Sequence, residues 1–278
     1  MEISLRRITH EYRKAGLLHL LTGGIEAATI ELLSRVPRIY WKAVPKYYEW
    51  RSSNDIYDYE YPPHPFKIEY VNPDDIRRVT DRSNKDVNRR LKFGAVRDGS
   101  WDQTGKKFTD QEVYKIAKEH FVEGRPWEET TIYPRLVKKA ENDEYSTWKY
   151  TSREDVLNHL ERFDSLYHRI ETNGYHQQRD LLEGPKGATG GIFLETLDEV
   201  TVDVGRDGEL LFADGLHRLV IAKLLELDSI PVVFLVRHPH WMETRDRIAS
   251  GNDIPDHPDL RDLTRETPKD RWKPNVGD

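Results

Sequence analysis

Apolar positions recur along this chain with two periods, and its elements are marked where one period gives way to the other. Val156, Leu160, Phe163, Leu166, Tyr167 and Ile170 are spaced three and four apart, which predicts one helix face over 152–172. Ser152-Arg-Glu-Asp155 supplies a capping box at its start, and Asn173-Gly174 a stop. Residues 109–123 carry the same spacing through Val113, Ile116, Ala117, His120 and Phe121, with Thr109-Asp-Gln-Glu112 as a second capping box. Alternation predicts strands at 66–71 and 199–204, and a pairing segment at 210–213 completes a hairpin around Gly205-Arg-Asp-Gly208. Residues 219–227 are almost wholly apolar and predict a buried helix. Residues 230–236 are apolar throughout and β-branched, as a strand covered on both faces would be. A short polar helix follows at 241–248.

Outside these segments the pattern weakens. Residues 3–36 predict one or two helices broken at Gly23-Gly24, with Arg6, Arg7, Arg13 and Lys14 before an apolar face. That combination suits an anionic membrane surface as well as packing on the protein or on a second copy of it. Residues 37–65 are rich in Tyr, Trp and Pro and read as an extended linker. Asn72-Pro-Asp-Asp75 turns and caps a short helical start. Residues 77–150 read as an inserted subdomain, with a short strand at 130–133. Residues 251–278 hold many charges and few apolar groups and read as an irregular tail. The organisation predicted is an N-terminal helical arm and linker over 1–62, one domain over 63–250 with the insertion 77–150, and the tail.

Composition narrows the chemistry. Of 278 residues, none is Cys, which excludes disulfides, thiolate catalysis and cysteine–zinc sites, and suits a reducing cytoplasm. A net charge of −6 argues against a general nucleic-acid coat. No signal peptide and no run of about 18 apolar residues is visible.

The densest chemical signal is Asp214-Gly-Leu-His-Arg218, where a strand turns directly into the apolar helix. A helix start offers backbone N–H groups and partial positive charge to an anion. Gly215 lets backbone and anion approach closely, Arg218 can clamp phosphate and His217 can donate a hydrogen bond. Competing structural roles stay open: Asp214 as an N-cap, His217 as a packed histidine, Arg218 paired with Asp214 or Glu209. Arg237-His-Pro-His-Trp241 is read as closing a pocket at the end of the last strand, and Arg97-Asp-Gly-Ser-Trp-Asp102 as either a lid or a surface hairpin.

The order of these pieces, together with the Asp-Gly-Leu-His-Arg turn and the Ile230-Pro-Val-Val233 strand, resembles the ParB/sulfiredoxin superfamily over roughly residues 66–76 and 152–238. The turn is most similar to the Asp-Gly-His-His-Arg of the ADP-dependent free-serine kinases of that fold. The resemblance implies an α+β (mixed α/β) core sheet with flanking helices. It also implies a nucleotide (ATP, ADP or CTP, with Mg2+) held through its phosphates at Gly215, His217 and Arg218. Asp214 inherits a catalytic or metal-binding place. Leu216 stands where sulfiredoxins need cysteine, so sulfinic-acid repair is out. The ParB Glu-Asn-x-x-Arg element is absent, which disfavours DNA partition.

A phosphotransferase needs a group to orient the acceptor hydroxyl. Asp164, Glu161 and Glu171 on the long helix, and Asp98 and Asp102 in the insertion, are candidates, with Asp164 taken first; Gln177 and Gln178 are candidates for the base or ribose. The expected function is phosphoryl transfer to a small hydroxyl-bearing acceptor. The alternative is a non-enzymatic ParB-like nucleotide switch or DNA-associated module, as a homodimer. Peripheral membrane contact through 3–33 is a further expectation.

Overall fold

In the computed structural model, the described residues are 56, 58–64, 67–81, 94–142, 152–177, 199–251 and 253–263. The predicted N-terminal helical arm and Gln178 lie outside them.

Six described strands form one mixed sheet: β1 (Ile68–Val71), β2 (Arg78–Val79), β3 (Ala95–Val96), β4 (Val200–Val204), β5 (Leu210–Asp214) and β6 (Ile230–Arg237). Their order is β1-β6-β4-β5-β2, with β3 also on β6. β4 runs antiparallel to β5 and parallel to β6, while β1 runs antiparallel to β6. The helices are α1 (Glu112–Ala117), α2 (Tyr133–Glu141), α3 (Arg153–Asn173), α4 (Leu216–Leu224) and α5 (Pro239–Ala249). The fold is therefore α+β with helices flanking a mixed sheet. No helix among the described residues is long and apolar enough to cross a membrane.

All eight residues of β6 and all five of β4 are buried, because each strand is paired on both edges and covered on both faces. Val200, Val202, Phe212, Val232 and Phe234 face the helices and join Phe163, Leu219 and Ile221 in the main core. Leu211, Ala213, Leu235 and Val236 face the other way, where Ala95 and Trp101 cover them. The β4–β6 ladder slips by one residue between Val202 and Val204. There Asp203, fully buried, takes up the backbone with its side chain: Oδ1 accepts from the Val236 N–H at 3.1 Å and Oδ2 accepts from the Thr80 hydroxyl at 2.5 Å. A carboxylate stands in for the missing ladder partner of the bulge.

α3 forms where its caps predict. The Ser152 hydroxyl accepts from the Asp155 N–H at 3.1 Å, and Gly174, at φ +81°, stops the helix while its N–H donates to Ile170 O. Asn72 likewise caps the 3-10 turn Pro73–Asp75.

Four expectations need correction. Residues 130–133 form no strand; a 3-10 turn at Trp127–Glu129 leads into α2, whose start carries a proline. The Thr109 capping box does not form: α1 begins at Glu112 after Gln111, with no side-chain cap, and runs on as a π-helical turn over Lys118–Val122. The described residues of 77–150 do not stand apart as a subdomain: β2 and β3 belong to the sheet, and Phe108, Ile116, Trp127 and Tyr133 to its core. The end of the 37–65 segment is docked: the Asp246 carboxylate accepts from the Glu60 and Tyr61 N–H groups, and Arg245 Nε donates to Tyr61 O.

The described part of the tail, 253–263, is irregular as expected apart from the 3-10 turn Pro258–Leu260, but it is docked: Asp259 and Leu260 are fully buried, while Asp253, Pro255 and Asp256 stay exposed. Arg237 donates to both Asp259 oxygens at 2.9 and 2.5 Å, Trp241 Nε1 to Oδ2 at 2.8 Å, and Lys67 Nζ lies 2.6 Å from Asp262 and 3.7 Å from Glu69. Arg245 closes the cluster on Asp262 and the Asp259 carbonyl. Three cations face three carboxylates, so the interior carries no net charge there. Burial alone would raise the Asp259 pKa, but Arg237, Lys67 and Arg245 together hold it well below the carboxylate range.

Candidate functional site

The strand-to-helix corner lies at the end of the sheet where Asp214 pairs with Thr201, opposite the end where Val204 meets Arg237. Gly215 takes φ +85°, and a Cβ there would stand 2.9 Å from Val200 Cα and 3.4 Å from the Glu199 carbonyl oxygen. Two constraints converge on glycine: a left-handed backbone and close packing on β4. The close approach to the protein's own strand is a reason for this glycine beyond the one the sequence suggests. Asp214 is exposed, and its Oδ1 accepts from the adjacent Gly215 N–H at 2.9 Å. The first intrahelical bond of α4 is donated by Leu219 to Gly215 O at 3.1 Å, so the amides of 216–218 form the helix's opening turn.

His217 turns toward α3. Its Nε2 lies 3.1 Å from His159 Nε2, and its ring meets Phe163 edge-on at 4.7 Å between centroids. One imidazole donates and the other accepts, which a pair of neutral rings satisfies. Burial, reinforced by His159 and Arg218, lowers the His217 pKa to about 3; burial, with Arg162 nearby, lowers that of His159 to about 4. At neutral pH His217 is a fixed neutral group and not a cation.

Arg218 is 12% exposed at its side chain, and its Nη1 lies 3.6 Å from Glu199 Oε2. Its ion pair among the described residues is with Glu199. Glu209 is instead gripped by Arg78. Beside Arg218 opens a hollow of about 470 Å³ at the C-terminal end of α3. Leu166, Arg169 and Ile170 line it from the helix, Tyr175 and His176 from the chain that follows, and Arg218 from α4.

The other sequence candidates fall elsewhere. Asp164 is held on the far flank of α3: both oxygens accept from Trp127 Nε1 at 3.0 Å, and Oδ1 lies 3.1 Å from His120 Nε2. His120 stacks on Trp127 at 3.8 Å, so this carboxylate ties the π-helical turn to α3. Gln177 Nε2 donates to the Tyr70 hydroxyl at 2.8 Å. Asp102 is bound by the Arg206 guanidinium and backbone N–H, and buried Trp101 donates to Arg97 O; residues 97–102 cover the sheet rather than close a site. Arg237 and Trp241 belong to the buried ion cluster, so that motif closes the far end of the sheet. Among the described residues no group of three or more His, Asp or Glu could hold a metal ion.

Three residues at the corner escaped the sequence argument: His159, Arg169 and Tyr175. The signal for Arg169 was present, since Leu166, Arg169, Ile170 and Asn173 share one helix face. No family model, curated protein or solved structure matches this chain.

Proposed function

We propose that the chain binds a nucleotide at the Asp214–Arg218 corner and transfers a phosphoryl group from it to a small hydroxyl-bearing acceptor. The observation that carries this is the place of Arg218, which stands in the first turn of α4 and also lines the 470 Å³ hollow. A mostly buried guanidinium beside a helix start favours an anionic group, and a hollow of this size falls in the range for small ligands.

Arg218 and the opening amides of α4 bind the phosphates. His217, held neutral by burial and fixed by His159, positions the turn and offers a polar contact without charge. Asp214, exposed at the end of β5, orients the acceptor hydroxyl. Asp164 is committed to Trp127 and His120, so no acceptor role is assigned to it. Mg2+ carried on the phosphates would neutralise their charge, with Asp214 the protein ligand within reach of the turn. The likeness of the turn to that of ADP-dependent free-serine kinases supports transfer in addition to binding.

Purified chain titrated with ATP, ADP and CTP should show a raised melting midpoint with at least one, and release of the shortened nucleotide when a hydroxyl acceptor is present. Arg218→Ala should weaken binding about 10- to 100-fold, as loss of a charge-assisted contact of about 1.5–3 kcal/mol does. Absence of any shift in the wild type would sink the proposal. Binding of CTP alone, without phosphoryl release and with salt-sensitive DNA retention, would favour the nucleotide-switch alternative.

A further inference from the structure

Arg218 lines the hollow, yet its Nη1 lies 3.6 Å from Oε2 of Glu199, which is not among the described residues lining that hollow. Glu199 stands just before β4 with its side chain 1% exposed, so its carboxylate meets the guanidinium from the interior. Gly215 makes the meeting possible: without a Cβ, the first turn of α4 settles on Val200 and on the Glu199 carbonyl. A carboxylate taken out of water is costly, and an arginine offsets that cost without making the pair a strong source of stability. The same carboxylate cancels part of the charge that an anion would seek. A pair that adds little to the fold and less to attraction still supplies one property, which is direction. An arginine side chain is long, and it gives up rotamer freedom on taking an anion unless a neighbour already holds it.

Building on the nucleotide reading, we propose that Glu199 is a positioning residue for Arg218: the buried carboxylate holds the guanidinium from behind and turns it to the hollow before an anion arrives. Glu199 touches neither phosphate nor acceptor in this arrangement and acts only through Arg218. Two effects oppose each other. Part of the attraction for the anion is cancelled, while the ordering of a long side chain is completed in advance, in the folded protein. Both residues make further contacts, so removing either one alone reports a mixture. A double-mutant cycle isolates the pairwise effect.

The test is calorimetric titration of the full chain with ATP, ADP and CTP in turn, on wild type, Glu199→Gln, Arg218→Ala and the double variant. Glu199→Gln keeps the shape and removes the charge. It should weaken binding about three- to tenfold when Arg218 is present, the effect of releasing one long side chain. In the Arg218→Ala background it should change affinity by less than about twofold. Unchanged binding by Glu199→Gln overturns the role. Tighter binding overturns it too, since the carboxylate then only opposes the anion. Equal losses in both backgrounds overturn it as well, since the damage is then to the fold. Each of these results leaves the nucleotide reading intact, whereas no binding by the wild type removes that reading and the role together. If Glu199→Gln melts below the titration temperature, Glu199→Asp takes its place, keeping the charge one methylene further back. Its loss should be smaller and should again depend on Arg218; a loss independent of Arg218 overturns the role.

Discussion

At the scale of single residues, Gly215 is the most constrained position at the corner. Any side chain there meets both a disfavoured φ and the backbone of β4 at 2.9 Å. Gly215→Ala should cost about 2–4 kcal/mol in urea unfolding, from strain and overpacking together. A loss under 0.5 kcal/mol would mean that β4 yields easily at Val200. The His159–His217 pair gives a pH signature. Both folded pKa values, about 4 and about 3, lie below the unfolded 6.5, so the unfolded chain takes up protons first. Stability from the neutral pair is present above pH 6.5 and declines as pH falls through the window down to about 4 and 3. His159→Gln, which cannot titrate, should flatten the melting profile there, and an unchanged slope would show that other groups dominate. Asp259 and Asp262, held below 3.8 by their cations, act on a lower window and lose their contribution only as pH falls below the carboxylate range. Little of this was legible in the sequence. Gly215 and Arg218 stood out because a strand met a helix there, whereas His159 looks like the solvated face of any helix until α4 is placed against it, and Arg169 is marked only by sharing a face with Leu166 and Ile170.

Among the elements, those with local signals were read and those made by distant contacts were not. α3 carries its own start and stop, so Ser152→Ala should lower stability by about 1 kcal/mol in thermal or urea unfolding. No change would mean that packing on α2 and α4 fixes the first turn unaided. β6 was legible because eight consecutive buried positions leave no polar face to hide. Residues 130–133 were misread because Thr-Thr-Ile-Tyr has strand propensity, while Pro134 and the burial of Trp127 favour a turn into a helix. The β-bulge at Asp203 was equally invisible, since its partners Thr80 and Val236 lie far away along the chain.

For the whole molecule, the buried cluster joins segments that sequence reading kept apart. Lys67 and Asp262 are 195 positions apart yet 2.6 Å from contact to contact. Asp259→Ala should destabilise the chain by about 3–5 kcal/mol, because Arg237 would be left charged in the interior. A chain ending at residue 251 should lose cooperative melting for the same reason. Retention of a sharp two-state transition by that shortened chain would show that the tail is dispensable. The composition gave no hint of this, because charged residues 253–263 resemble any solvated terminus.

Along the β4–β6 ladder, Arg237 of the cluster and the corner at Thr201 stand roughly 10 Å apart, the span from Val204 to Thr201. Perturbations that far apart with no shared partner add independently. Stability and the proposed binding can therefore be probed separately in this protein: an engineer could reinforce the ion cluster to tolerate heat and reshape the hollow beside Arg218 without either change undoing the other.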